Sequence, residues 1–274
     1  MLTLGKEHIK SILKIRDEKS SKGDFGHALI VAGNTGKMGA ALIAAKACLR
    51  SGVGLLTLNI PEKERLIFQT AIPEAMLQFR ENKSASFSFF STLGVGPGLG
   101  KSSESMFLVE KCISEFKKPM LLDADALNIL SENKKLFKKV PKNTIITPQA
   151  KEFDRLFGEH KTQEERQITA ISKAKELKIV IVLKGHKTLI TSKGETFINI
   201  TGNSGLAKGG SGDALSGIIT AFLAQNYNAF DAAKLGVYIH GLAADFALEN
   251  QSVESMLISD VISCLGKAFK DLRV

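Results

Sequence analysis

The sequence predicts a three-layer α/β sandwich: a mainly parallel sheet with helices on both faces. Three features carry that prediction. The candidate strands, such as ALIVA (28–32) and IVIVL (179–183), are uninterrupted apolar runs, the pattern of strands buried on both faces. Helix-length segments separate them, as the crossovers of a parallel sheet require. Glycine-rich or acidic turns follow the strands directly, so the loops collect along the carboxyl edge of the sheet, where open α/β sheets hold ligands.

A chain of 274 residues, 44% apolar and 24% charged, suits one large domain over 1–274 with a full core. Its net charge of +9 favours anionic partners. Tryptophan is absent and the lysines are dispersed, so a nucleic acid is not expected. A phosphorylated small molecule suits the charge better. Cys48, Cys112 and Cys264 are far apart and odd in number. They make neither a disulfide framework nor a zinc cluster, and read as core residues in a reducing cytoplasm. The opening MLTLGKEHIKSILKIR is too charged for a signal peptide, and no later run suits a membrane span.

In chain order, KGDFG (22–26) is a turn feeding strand 28–32. A loop with Gly33, Gly36 and Gly39 follows, then a helix over 40–50. Strand, glycine loop and helix make either a nucleotide-binding crossover or a tight packing turn. The spacing is not GxGxxG, no acid ends the next strand (55–60), and Lys37 is not in a Walker loop. The Ser- and Phe-rich stretch 79–92 reads as a surface excursion. A short strand over 93–95 runs into Gly96-Pro97-Gly98-Leu99-Gly100. The strand 120–123 ends in Asp123, and Asp125 opens the next helix, as a cap or as a ligand group beside Asp123. Two such acids are candidates for Mg²⁺, directly or through water.

Residues 145–148 form another short strand, closed by Pro148, and a helix starts at Glu152. After strand 179–183 come Lys184, Gly185, His186, Lys187 and Thr188, then a hairpin-like return over 189–191. Lys184 at a strand end is a point charge open to a phosphate. His186, between lysines, has no second His or Cys at metal spacing and reads as a solvated imidazole. Beyond Gly217 the chain is helical, with 229–248 the longest apolar-periodic segment; His240 within it reads as packing.

The stretch 203–225, NSGLAKGGSGDALSGIITAFLAQ, carries the strongest signal. Gly209-Gly210-Ser211-Gly212 leaves its backbone open to a ligand. The unpaired amides at the start of the following helix (214–224) carry the positive end of its dipole. An anion fits there, phosphate above all. A carboxylate at that place, Asp213, would repel a phosphate. It makes sense as a base that removes a proton from an attacking hydroxyl. The plainer alternative is a helix cap.

These motifs, in this order, resemble one family. Gly210-Ser211-Gly212-Asp213 is similar to the GxGD anion-hole motif of the ribokinase-like superfamily. KGDFG with Ala40, Ala41, Arg50, Ser51, Gly52 and Gly54, then VGPGLG (95–100), DADAL (123–127), KGxxT (184–188) and 202–217 resemble the NAD(P)H-hydrate dehydratases over residues 22–225. The resemblance implies a ribokinase-like domain without a β-lid insert. It implies an ADP-dependent, or ATP-dependent, dehydration of the S-epimer of hydrated NADH or NADPH, giving NAD(P)H, AMP and phosphate. Asp213 would be the catalytic base. Ala40, Gly98, Gly100, Gln149 and Asp213 would contact the hydrated nucleotide. Lys184, Gly185, His186, Lys187, Thr188, Gly209, Gly210, Ser211 and Gly212 would contact ADP or AMP. Mg²⁺ would bridge phosphates. The resemblance further implies a cytoplasmic homo-oligomer such as a tetramer, no membrane or nucleic acid, and functional pairing with an NAD(P)HX epimerase. One stretch departs from the pattern. The family's TPHPGEF is TPQAKEF here, so Gln149 stands where the family has histidine, and it cannot carry a proton.

Two other functions stay open: a vitamin-precursor kinase of the hydroxyethylthiazole or hydroxymethylpyrimidine type, and a non-catalytic nucleotide-binding module. Of the two donors, ADP is expected to serve better. The transferred phosphate must lie on 209–212 while 184–188 hold the adenosine, and that span sets how many phosphates fit.

Overall fold

The computed structural model describes residues 1–82 and 84–273. Its strands are β1 (Leu2–Thr3), β2 (His27–Val31), β3 (Leu55–Ile60), β4 (Met76–Phe79), β5 (Thr92–Val95), β6 (Leu121–Leu122), β7 (Ile145–Ile146), β8 (Val180–Leu183), β9 (Leu189–Ser192) and β10 (Glu195–Ile198). They form a ten-stranded sheet in the order β1-β10-β9-β8-β7-β6-β5-β2-β3-β4. Every pair from β8 to β4 is parallel. The β8–β9 and β9–β10 pairs are antiparallel, and β1 joins β10 in parallel.

Strands covered on both faces should send alternate residues into opposite cores. Leu121, Ile145, Val180 and Val182 do pack with helices Ser211–Ala224, Ala229–Ala247 and Ile258–Asp271. Leu122, Ile146, Ile181 and Leu183 pack on the other face, with helices Ser103–Glu115, Asp125–Glu132, Ala150–Phe157 and Gln163–Leu177. Helix Ser211–Ala224 is buried all round from Ala214 to Ala224. Gly217 permits this: a Cβ there would lie 2.0 Å from the carbonyl oxygen of Ala44 in helix Met38–Arg50.

The expected α/β sheet is present, with corrections of detail. Strands 120–123 and 145–148 pair over two residues each; Met120 stays in the core before β6, and the residues after each pair turn into site loops. The edge strands β1 and β4, and β10 next to β1, are additions to the expected set; β1 and β4 are short and have little buried surface to mark them. The surface excursion over 79–92 holds in part: between β4 and β5 the described residues are loop and turn and mostly exposed, but two rings turn inward. Phe87 and Phe90 are buried and join the core around Leu29, Leu93 and Val109, while Phe89 is exposed. Lys83 in that stretch lies outside the described residues. Cys48 and Cys112 are buried and Cys264 is half-buried. Among the described residues, no helix is long and apolar enough to cross a membrane.

Candidate active site

The helix that carries Asp213 begins three residues earlier than its apolar pattern suggests. Gly210 precedes it at φ +94°, a left-handed turn, and the helix runs Ser211–Ala224. Asp213 therefore lies in the first turn and is not the N-cap residue. The backbone around it is crowded on one side and open on the other. A Cβ on Gly210 would meet Ile43 Cδ1 at 2.7 Å, and one on Gly212 would lie 3.3 Å from Lys184 Nζ. One on Gly209 would meet nothing within 4 Å among the described residues.

Three acids surround this helix start, and each has a different environment. Asp123, at the end of β6, is 1% exposed. Its Oδ1 accepts from Lys184 Nζ at 2.8 Å, and its Oδ2 accepts from Ser216 Oγ at 2.6 Å. This corrects the expectation for Lys184: its ammonium is ion-paired at the end of β8 rather than free, and it sits beneath Gly212. Asp125 accepts from the Gly100 amide at 2.7 Å, which fixes the Gly96–Gly100 turn. The helix it opens has Ala124 as N-cap, at φ +48°. Asp213 is the third acid. Among the described residues no hydrogen bond reaches its carboxylate. Burial pushes its carboxyl up to about 6, with the charges of Asp123 and Asp125 adding to the effect and Lys184 opposing it. Burial also raises Glu152, whose Oε2 accepts from the Gln149 amide at 2.8 Å.

Asp123 and Asp125 do not fit a magnesium site. Magnesium takes carboxylate oxygens in a near-ideal octahedron with several waters. Here both oxygens of Asp123 are occupied, one of them by an ammonium, and Asp125 holds a backbone amide. Among the described residues no group of three or more His, Cys, Asp or Glu is placed to hold a metal.

The site divides into two halves. The first is a cavity of about 820 Å³ that gathers Gln149, Lys184, Gly185, His186, Thr188, Gly209, Ser211 and Gly212. Lys187, Gly210 and Asp213 are not among its lining residues. Its back wall is the loop 199–206, held by helix Ala229–Ala247. Thr201 Oγ1 donates to the Tyr238 carbonyl at 3.0 Å. The Gly202 amide and Asn203 Nδ2 donate to Asp245 at 2.9 and 3.1 Å. Lys208 clamps the start of the glycine loop to the Glu254 and Met256 carbonyls. His240 borders this cavity at 6% exposure, and burial, with help from Lys184, pushes its imidazole down to about 4.

The second half is made by two backbone turns. The Gly33 amide donates to the Pro97 carbonyl at 2.7 Å, and Asn34 Nδ2 donates to Leu99 O at 3.2 Å. A Cβ on Gly98 would lie 2.8 Å from both Ala40 Cβ and Lys37 O, so these backbones touch. Ala40, Gly98 and Gly100 are thus brought together, and Gly100 is tied through Asp125 to the end of β6. Gln149, expected with them, lines the other half beside Lys184.

Sequence reasoning missed Ser216, Asp245, Lys208 and Glu152. Ser216 lies three residues after Asp213 and so shares its helix face. Asp245 is a lone acid late in an alanine-rich helix, a signal that could have been used.

A family model described as NAD(P)H-hydrate dehydratase matches residues 28–267. The Bifunctional NAD(P)H-hydrate repair enzyme Nnr of Moorella thermoacetica is 33% identical over 96% of this chain and 53% of its own length. The chain therefore spans about half the length of such bifunctional relatives. The ADP-dependent (S)-NAD(P)H-hydrate dehydratase of Bacillus subtilis is 33% identical, covering 96% of this chain and 97% of that protein. A crystal structure of ADP/ATP-dependent NAD(P)H-hydrate dehydratase from Bacillus subtilis, co-crystallized with ATP/Mg²⁺, superposes with a TM-score of 0.90 at 31% identity, covering 99% of this chain and 98% of that one. A hydroxyethylthiazole kinase from Pyrococcus horikoshii shares the fold at a TM-score of 0.64 and 17% identity, over 92% of this chain and 90% of that one.

Proposed function

The chain belongs to the NAD(P)H-hydrate dehydratase family, and on that premise we propose that it dehydrates the S-epimer of hydrated NADH or NADPH at the expense of ADP. The observation that carries the reading is Asp213. It is a carboxylate without a hydrogen-bond partner among the described residues, raised to about 6, at a helix start beside glycine amides. Such a group is ionised at neutral pH yet basic enough to take a proton.

Asp213 removes the proton from the ring hydroxyl of the hydrated nicotinamide. The freed oxygen attacks the terminal phosphorus of ADP, and the bond to the bridging oxygen breaks, releasing AMP. The ring now carries a phosphate in place of a hydroxyl. Expulsion of that phosphate, with loss of a ring proton, restores the dihydronicotinamide. Amides of Gly209 to Gly212 face the phosphoryl oxygens, and the helix dipole favours their charge. The Asp123–Lys184 pair sets the ammonium beneath Gly212, where it adds positive charge. Mg²⁺, if held by the nucleotide's own phosphates, would supply further positive charge there without a protein carboxylate.

The hydrated nucleotide lies toward Ala40, Gly98 and Gly100, and the donor toward the cavity of Lys184 to Thr188. One domain over 1–274, a cytoplasmic setting, a homo-oligomer and work alongside an NAD(P)HX epimerase complete the proposal. The test is one assay. Hydrated NADH with ADP is compared with hydrated NADH plus ATP, and with thiazole or pyrimidine alcohols plus ATP. Recovery of dihydronicotinamide absorbance, faster with ADP than with ATP, is expected. Phosphorylated alcohols without that recovery would replace the proposal by a vitamin-precursor kinase.

A further inference from the structure

Arg80 follows β4, in the stretch that sequence alone assigns to the surface. Its backbone amide continues the ladder by donating to Ile60 O at 3.0 Å. Its side chain turns back across the carboxyl ends of two neighbouring strands. Nη2 donates to Ala32 O at 2.7 Å, to Gly33 O at 2.8 Å and to Asn59 O at 3.2 Å; Nε reaches Asn59 Oδ1 at 3.4 Å. Ala32 and Gly33 follow β2 and open the Gly33–Gly39 loop; Asn59 is near the end of β3.

Carbonyls that leave a sheet in this way must find donors or stay unpaired. A guanidinium supplies several from one side chain in a fixed fork, which an ammonium cannot match. Among the described residues Arg80 has no carboxylate within ion-pair distance; Glu104 and Glu81 act on its charge only from farther away. Burial pushes it down to about 10, so it stays protonated at neutral pH. A half-buried cation whose hydrogen bonds all go to carbonyl oxygens is an expensive way to tie a turn. Its position explains why it is there. Gly33, which Arg80 grips by the carbonyl, has φ +72° and donates its amide to Pro97 O at 2.7 Å. The turn beginning there then brings Lys37 and Ala40 against Gly98. Holding Gly33 therefore holds both turns of the hydrate half.

We propose that Arg80 is a positioning residue that sets the two backbone turns against which the hydrated nucleotide docks. The part concerning the substrate rests on the dehydratase reading; the part concerning the turns does not.

The test uses the full chain with Arg80→Met and Arg80→Lys. Hydrogen exchange of the ligand-free proteins is followed over residues 33–39 and 96–100, with 202–213 as comparator. Arg80→Met should speed exchange in the first two segments by about tenfold or more, the loss expected for a charged hydrogen-bond network, and leave the comparator unchanged. Arg80→Lys should fall between it and the wild type. In steady state the KM for hydrated NADH should rise by about tenfold in Arg80→Met, with the KM for ADP within about twofold of wild type. Unchanged exchange in 33–39 would overturn the proposal. So would equal acceleration of all three segments, or a loss of kcat with both KM values unaltered, because those describe a destabilised protein rather than a displaced turn. A wild-type protein inert toward hydrated NADH would instead reject the dehydratase reading, and the exchange pattern would still decide whether Arg80 sets the turns.

Discussion

The two halves of the site solve different problems with different materials. The proposed nucleotide half needs positive potential, and a helix start with small residues supplies it: Gly209 and Gly210 ahead of the helix and Gly212 in its first turn, before the stretch that is buried all round from Ala214. The hydrate half needs shape, and backbone turns supply it: Gly33 and Gly98 at positive φ, with Gly98 touching Ala40 and Lys37. The first half keeps its anion loop and Asp213 within one stretch of sequence, although its wall is tied to Tyr238 and Asp245 and Lys208 to the Glu254 and Met256 carbonyls. The second borrows its scaffold from Arg80 and Asp125, remote in the chain. Charge can therefore be built locally, whereas a shaped turn is only as exact as the side chains behind it.

The largest effect should come from Asp213, near the junction of the halves. Asp213→Asn keeps the shape and removes the base. The kcat should fall on the order of 10²–10⁴-fold while calorimetry shows ADP bound as well or better. Collapse of both binding constants would mean the halves are one unit.

Next come two glycines that should separate the halves. Gly98→Val at φ +62° would drive a Cβ to 2.8 Å from Lys37 O, and should raise the KM for hydrated NADH with ADP nearly untouched. Gly210→Val at φ +94° would press on Ile43 and should do the reverse. Strain of about 1–3 kcal/mol in each puts these effects at roughly 5- to 150-fold. Equal changes in both constants for either variant would erase the distinction.

The pH dependence should be gentler, and the part that Asp213→Asn removes belongs to Asp213. Activity rises as its carboxyl ionises through about 6 and levels off above. Stability runs the other way. The folded carboxyl binds its proton more tightly than the unfolded one, so stability falls as pH rises from about 4 through about 6. Asp213→Asn should then melt higher than the wild type at pH 8 and alike at pH 4, by calorimetry. A lower melting temperature at pH 8 would give the carboxylate a structural role.

The smallest effect should be Gly209→Ala. Its methyl meets nothing within 4 Å among the described residues, and its φ lies outside the left-handed region. The melting temperature should hold, and ADP affinity should stay within about threefold, less than about 1 kcal/mol. A larger loss would show the nucleotide pressed against that Cα.

The contrast also explains what could be read in advance. The parallel sheet was legible because strands buried on both faces are apolar throughout, as in Val180–Leu183. The anion loop was legible because its glycines and Asp213 are neighbours in the chain. Arg80 was not, because its role depends on β4 lying beside β3, and β4 is a four-residue edge strand with no fully buried residue. The ion pair of Lys184 was not, because strand order places β6 and β8 either side of β7, and only then do their ends approach. Phe87 and Phe90 were hidden among serines, with no period to mark which rings turn inward.

The pairing of β1 with β10 bears on how the protein is made. Leu2 pairs with Phe197, and Leu4 donates its amide to Ile198 O. During synthesis these early residues must wait for a partner strand that leaves the ribosome long afterwards. Through that interval the growing sheet cannot close on this side. When β10 does emerge, its outer edge stays unpaired until the early segment returns, and an unpaired edge can recruit a neighbouring chain. Slowing that return, or displacing Leu2–Thr3, should therefore lower the yield of folded protein from a translating ribosome well before it lowers the stability of molecules already folded.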